Sequence, residues 1–164
     1  MDKLTLAEIP RLSLEEIQRL YTWMWVGMLT DTFGFTAEKL GAQGLRELND
    51  RMAEHEAERI RQTPIPADGA LKYALTSATV TANLMGFVSR IEDGADSEEA
   101  VLVHEDCASL RVFAEFQKMN FPMSREQYCG SCSGYNALVA RKLGLRMETT
   151  YTEKGCTNYI HKGK

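Results

Sequence analysis

Apolar residues open the pattern. From Leu14 they recur at steps of three and four, as Leu14, Ile17, Leu20, Tyr21, Met24, Met28 and Leu29, the spacing of one α-helix face. Trp23 and Trp25 widen the stripe, which predicts a helix covered on more than one side. Residues 1–12 read as a lead-in, with Pro10 fixing the chain ahead of the helix. Ser13-Leu14-Glu15-Glu16 fits a capping box, in which the Ser13 hydroxyl takes the third helical N–H and Glu16 reaches back. Asp31-Thr32-Phe33-Gly34 predicts the end, with Gly34 suited to a left-handed C-cap. Thr36 then predicts the cap of a second helix running to about Gln62. Its apolar face is sparser (Leu40, Leu45, Leu48, Met52), and Glu47 to Arg61 reads as a solvated face. Gly41 and Gly44 would admit a close backbone. Thr63-Pro64-Ile65-Pro66 stops the helix, because prolines that close cannot sit inside one.

Beyond the prolines the period changes. Ala67 to Thr76 predicts a short helix, and Val80 to Ile91 becomes strand-like towards its end. Glu92-Asp93-Gly94-Ala95-Asp96 reads as a turn, with Ala100 to His104 returning as the second strand of a hairpin. Helical spacing resumes over Ala108 to Met119 through Leu110, Val112, Phe113 and Phe116. Ser124-Arg125-Glu126-Gln127 predicts a second capping box, opening a helix that runs to Leu143 and stops at Gly144. Arg146 to Thr152 and Asn158 to His161 form a predicted hairpin around Glu153-Lys154-Gly155. The sum is a single α+β domain over residues 1–164. It has an N-terminal helical hairpin over 13–62, then an antiparallel sheet packed with helices in a cysteine-rich half over 80–164.

Composition changes this picture little. The 164 residues are 44% hydrophobic and 26% charged, ordinary for one globular domain with a real core. A net charge of −4 argues against nucleic acid or an anionic membrane as partner, because such binding needs clustered Lys and Arg. No apolar run nears the ~20 residues that span a bilayer. Met1-Asp2-Lys3-Leu4 has no basic region followed by an apolar core. A cytoplasmic protein is the expectation, and there thiols stay reduced, so cysteines call for a reason other than disulfides.

All four cysteines fall after residue 106. Cys129-Gly130-Ser131-Cys132 is a C-x-x-C pair, a common way to set two thiolates on one metal. Cys107 follows His104-Glu105-Asp106 where a predicted strand becomes a helix. Cys156 follows Lys154-Gly155 at the tip of the predicted hairpin. Element ends are where side chains from separate segments converge. Four thiolates make a closed tetrahedral zinc site and equally ligate a [4Fe-4S] cluster. Gly130 and Gly155 suit either centre by letting backbone approach it, and Lys154 and Arg125 offset the negative charge of the thiolates. Two other readings stand beside this one. The C-x-x-C near a helix start fits thiol redox chemistry, though no thioredoxin-like strand precedes it. The blander alternative reads the four as small buried hydrophobes.

Of the three histidines, His104 is the one near the cysteines, as a direct ligand or as a hydrogen-bond partner of a thiolate. His55 follows Met52 on the apolar side of the second helix, and His161 reads as surface. Asp106 and Glu105 read as a polar turn. No Ser-His-Asp spacing, Gly-rich phosphate loop or H-E-x-x-H helix stands in the chain. Trp25, Met28, His55 and Tyr128 are candidates to line an apolar pocket for a small molecule, against the plainer reading of a core stripe. Tyr128 and Tyr135 flank the C-x-x-C.

Residues 104–161 resemble the C-terminal half of small proteins related to the 4-vinyl reductase-like domain and the L-2-amino-thiazoline-4-carboxylate hydrolase-like family. There a cysteine follows a strand, further cysteines open a helix, and a late strand carries a pattern like Gly-Asp-x-x-Cys-x-Phe. Here those positions are Cys107, then Cys129 and Cys132, then Gly155-Cys156-Thr157-Asn158-Tyr159. Gly155 meets Cys156 with no acidic residue between, and Tyr159 stands one position out. The helices over 13–62 match in outline. The resemblance implies a two-layer α+β fold, a homodimer, and a cysteine-rich centre beside a small-molecule pocket. Members include ligand-sensing modules and hydrolases, so likeness of fold does not choose the activity. Three functions follow as expectations. The first is a metal- or cluster-containing small-molecule-binding module. The second is a hydrolase acting on a small cyclic or amide-like substrate. The third is electron transfer.

Overall fold

The computed structural model describes residues 12–119, 121 and 123–163. The lead-in with Pro10 lies outside them. The fold is α+β, with helices α1 (Leu14–Gln62), α2 (Gly69–Val80), α3 (Ala108–Lys118) and α4 (Arg125–Lys142) and strands β1 (Val88–Ile91), β2 (Glu99–Asp106), β3 (Leu145–Tyr151) and β4 (Cys156–Lys162). The strands form one antiparallel sheet in the order β1-β2-β4-β3. A π-helical turn, Thr81–Met85, leads from α2 towards β1.

Both capping boxes form. Ser13 Oγ accepts from Glu16 N–H while the Glu16 carboxylate takes the Ser13 N–H at 2.7 Å. Ser124 and Gln127 repeat the arrangement at the start of α4. The predicted break between the first two helices is displaced. The chain stays helical through Gly34 and Thr36, and the non-helical residue is Gly41, with φ 64 and ψ −166. That left-handed φ is cheap only for glycine, so the two helical segments join directly at Gly41.

The core lies between the sheet and the helices. Residues two apart on a strand share a face. On one face Ala100, Leu102 and Ile160 are at most 2% exposed, beside Leu145. Ala53, Ala57 and Ile60 of α1, Tyr73 and Ala74 of α2, and Val139 and Ala140 of α4 pack against them. The alanines bring helix backbones close to the sheet, and each large aliphatic side chain buried there contributes about 1.5–3 kcal/mol. The other sheet face carries Val101, Val103 and Tyr159 among Arg90, Glu105 and Glu148, and stays open to solvent. One-sided burial is ordinary for an antiparallel sheet. Among the described residues no helix is long and apolar enough to cross a membrane.

The first predicted helix face is not core. Ile17, Met24 and Met28 are half or more exposed, and Trp23 and Trp25 are also exposed. The buried side of this segment is Thr22 and Val26. Thr22 Oγ1 donates to Met85 O, Gln18 Nε2 donates to Ala82 O, and Trp23 stacks on Phe116 of α3. A stripe read as covered on several sides is covered on one, and that side is the less apolar.

Candidate metal centre

The four cysteines reach one end of the fold from three chain junctions. Cys107 is the N-cap of α3, directly after β2. Cys129 and Cys132 lie one helical turn apart in the first half of α4. Cys156 opens β4 just past the hairpin. The junctions are tied by backbone. Cys107 N–H donates to Lys154 O at 2.8 Å. Gly155 lies so close to the end of β2 that a Cβ there would stand 1.8 Å from His104 O. The Arg125 guanidinium donates to Thr152 O and to Glu153 O, the latter at 2.8 Å, fastening the start of α4 to the same hairpin tip. Tyr151 Oη adds a 2.6 Å bond with Ser133 Oγ and donates to Cys129 O.

Each sulfur has a donor or a cation beside it. Leu110 N–H points to Cys107 Sγ at 3.4 Å, Asn136 Nδ2 to Cys132 Sγ at 3.5 Å, and Asn158 Nδ2 to Cys156 Sγ at 3.9 Å. Arg125 lies beside Cys129 and favours its thiolate. Asn158 is held in turn by Thr149 Oγ1, 2.8 Å from its Oδ1. Such outer partners orient sulfur ligands and tune a bound metal or cluster.

The thiols are also close enough to feel one another's charge. Burial first, then Cys132 and Cys129, push the Cys107 thiol up to about 12. Burial, then Cys156 and Cys129, raise Cys132 to about 12. Cys132 is nonetheless solvent-exposed as a residue. Burial, then Cys107 and Cys129, raise Cys156 to about 11. Cys129 is raised by burial, with Arg125 opposing. All four are free thiols. Without a cation, each holds its proton at neutral pH.

The donor set fits a thiophilic metal in kind: four sulfurs, with N–H groups aimed at three of them and a guanidinium beside the fourth. Among the described residues, however, no group of three His, Cys, Asp or Glu side chains stands in an arrangement that could hold a metal ion.

His104 occupies the helix-covered face, opposite Cys156 across β2 and β4. Its Nδ1 is 2.7 Å from Ser89 Oγ, and Phe87 packs edge-on at 5.3 Å between ring centroids. Burial depresses its pKa to about 4, so it is neutral. Glu105 pairs with Arg90 at 2.9 Å and Asp106 with Arg111; both are the closing residues of β2 rather than a turn.

Of the pocket candidates, Trp25, Met28 and His55 are exposed. His55 therefore does not face the core expected of it. Tyr128 is half-buried and stacks on Phe113, centroids 4.2 Å apart. Burial and the nearby Cys132 and Cys107 push its hydroxyl pKa upward, which sets it against the cysteines. Two surface clefts, one around Ile60, Gly69 and Leu145 and one around Leu20, Trp23 and Glu115, contain none of the four. His161 is half-buried beside Glu99 at 3.9 Å. Gly130 has nothing near its missing Cβ, so of the two glycines only Gly155 is required by close approach.

Sequence reasoning missed Asn136 and Asn158. Their signal was present: Asn136 stands four residues after Cys132, on the same helix face, and Asn158 two after Cys156, on the same strand face. Compared with known protein families and with curated proteins, the chain finds no match.

Proposed function

We propose that Cys107, Cys129, Cys132 and Cys156 hold a zinc ion or a [4Fe-4S] cluster, and that the protein is a cytoplasmic small-molecule-binding module built around that centre. The observation that carries this reading is the provision of the sulfurs. Four thiols from three junctions each meet an N–H donor or a guanidinium, and burial, with neighbouring thiols behind it, raises Cys107, Cys132 and Cys156. Inert buried cysteines need neither donors nor company. The bound group would neutralise the thiolates and clamp the β2–α3 junction, α4 and the β3–β4 hairpin together.

A hydrolase of the kind the resemblance implies is the second reading. It is favoured by one observation, the solvent contact of Cys132, which would open one coordination position to water or substrate. Three protein ligands with an open fourth position suit zinc hydrolysis, and four do not.

The test is metal content and absorption of protein purified without oxygen, beside Cys132→Ser. One zinc per chain without colour, or about four irons with a brown chromophore, is expected for the native chain. Loss of the metal and a lower melting temperature are expected for the variant, because binding energy at a structural site is folding energy. A native chain without metal, or a variant with full metal and unchanged melting, would sink the proposal.

A further inference from the structure

The exposed side of α1 carries a second pattern, separate from the cysteines. From Leu14 the solvent-facing positions step three, four, three, four through Ile17, Tyr21, Met24, Met28 and Asp31 to Phe35. That is the a/d alternation of a helix–helix seam, with apolar residues at every position but one. Leu14 is 67% exposed, Met24 60% and Phe35 63%. At roughly 200 Å² per side chain, the exposed part of the seam with Trp25 comes to about 700 Å². Monomers rarely show apolar patches above about 600 Å², and a stable interface takes about 800 Å² from each partner. Tyr21 and Trp25 stack at 6.4 Å with their planes 7° apart, a rigid aromatic pair of the kind enriched at interface centres. The segment is already fastened behind by Thr22, Gln18 and Trp23, so little ordering remains to oppose association.

We propose that a second copy of this chain covers the seam, forming a two-fold symmetric dimer with the two α1 segments antiparallel. Tyr21 of each copy faces Met24 of the other near the axis, and Ile17 faces Met28. Asp31 sets the direction. Parallel helices in register would press two Asp31 carboxylates together. The antiparallel pairing places each opposite Leu14 of the other copy, about 25 Å apart along the helices at 1.5 Å per residue, beyond the ~8–10 Å reach of unscreened charge in salt. The seam ends before Gly41, where the helix bends.

Sedimentation of the full chain at micromolar concentration tests this. The native protein is expected to run at twice its 18.5 kDa chain mass. Met24→Glu is expected to raise the dimer dissociation constant by more than about a hundredfold with an unchanged far-ultraviolet circular dichroism spectrum. Leu40→Glu, equally exposed but off the seam, is expected to stay dimeric. For direction, Leu14→Cys with Asp31→Cys in one chain is expected to give a disulfide-linked dimer, and Leu14→Cys alone only the monomer band of the native chain. A native monomer, a dimer indifferent to Met24→Glu, or equal loss with Leu40→Glu would each overturn the interface. Crosslinking by Leu14→Cys alone would overturn the antiparallel arrangement.

Discussion

Replacing Gly155 by alanine tests the closeness on which the cysteine centre depends. A Cβ at residue 155 would sit 1.8 Å from His104 O and 2.9 Å from its carbonyl carbon. Carbon and carbonyl oxygen do not approach below about 3.3 Å without strain, so the hairpin tip must retreat by about 1.5 Å. Neither neighbour is a flexible side chain, because both atoms belong to the backbone of β2. The retreat breaks the 2.8 Å bond from Cys107 N–H to Lys154 O and carries Cys156 away from the other thiols. Overpacking costs about 1–3 kcal/mol, and the lost backbone bond about 1 kcal/mol. The stiffer unfolded chain returns about 0.4–1 kcal/mol. The net loss is about 1–3.5 kcal/mol, centred near 2. With a urea slope of about 2 kcal/mol/M, the unfolding midpoint of the metal-free chain should fall by about 1 M, read at one fixed protein concentration because association shifts apparent stability. Gly130→Ala is the matched control. Its added Cβ meets nothing within 4 Å, it lies inside α4, and helix propensity predicts a gain of about 0.5–1 kcal/mol. A Gly155→Ala midpoint within about 0.2 M of native, or equal losses in both variants, would refute the close-approach argument.

Two further outcomes follow from named side chains. Buried His104 has its pKa depressed from 6.5 to about 4; a base depressed on folding contributes stability fully above pH 6.5 and loses it as pH falls towards 4, so about 3 kcal/mol should go over that window in metal-free protein, and His104→Gln should flatten that part of the urea-midpoint profile. Asn136→Leu removes the N–H aimed at Cys132 Sγ and should weaken metal binding about 10- to 100-fold in a chelator competition; native affinity in that variant would mean the contact is incidental.

Much of the fold is legible in the chain because local signals there agree with the tertiary answer. Ser13 to Glu16 and Ser124 to Gln127 each carry a complete capping box, and both form. The hairpin around Glu153-Lys154-Gly155 and the position of Cys107 at a strand-to-helix junction follow from period changes that packing does not override. The break at Gly41 was obscured because Gly34 and Thr36 carry stronger stop and start signals. Nothing local shows that the chain stays helical past them. The misread face of α1 has a clearer cause. Periodicity reveals that a stripe exists, not what covers it. Here the packed side uses Thr22 and Val26 with side-chain bonds to the π-helical turn, while the apolar stripe faces solvent. The candidate site divides likewise. The C-x-x-C and its outlying partners are visible as letters, and Asn136 and Asn158 only once their elements bring them round to a sulfur.

The proton count on metal binding distinguishes a four-thiolate centre from a looser one. Cys107 and Cys132 are raised to about 12 and Cys156 to about 11, so at neutral pH the metal-free site is four neutral thiols. Ligands to zinc must be thiolates. A dication entering the site must therefore expel about four protons if all four cysteines bind, about three if Cys132 stays out, and about two if only the C-x-x-C pair takes part. The sign is fixed: affinity rises with pH, by up to about a factor of ten per pH unit for each proton released. Burial, and behind it the neighbouring thiols, raises these cysteines, and a bound cation offsets both costs of the thiolate form. Calorimetric titration of reduced, metal-free protein with zinc, in two buffers of different ionisation enthalpy, counts the protons directly. A count near four fits the closed centre, and a count near three would shift the argument to the hydrolytic reading with its open position. Two or fewer would show that at most two of the four thiols bind, and with that the convergence of the three junctions would lose its chemical meaning.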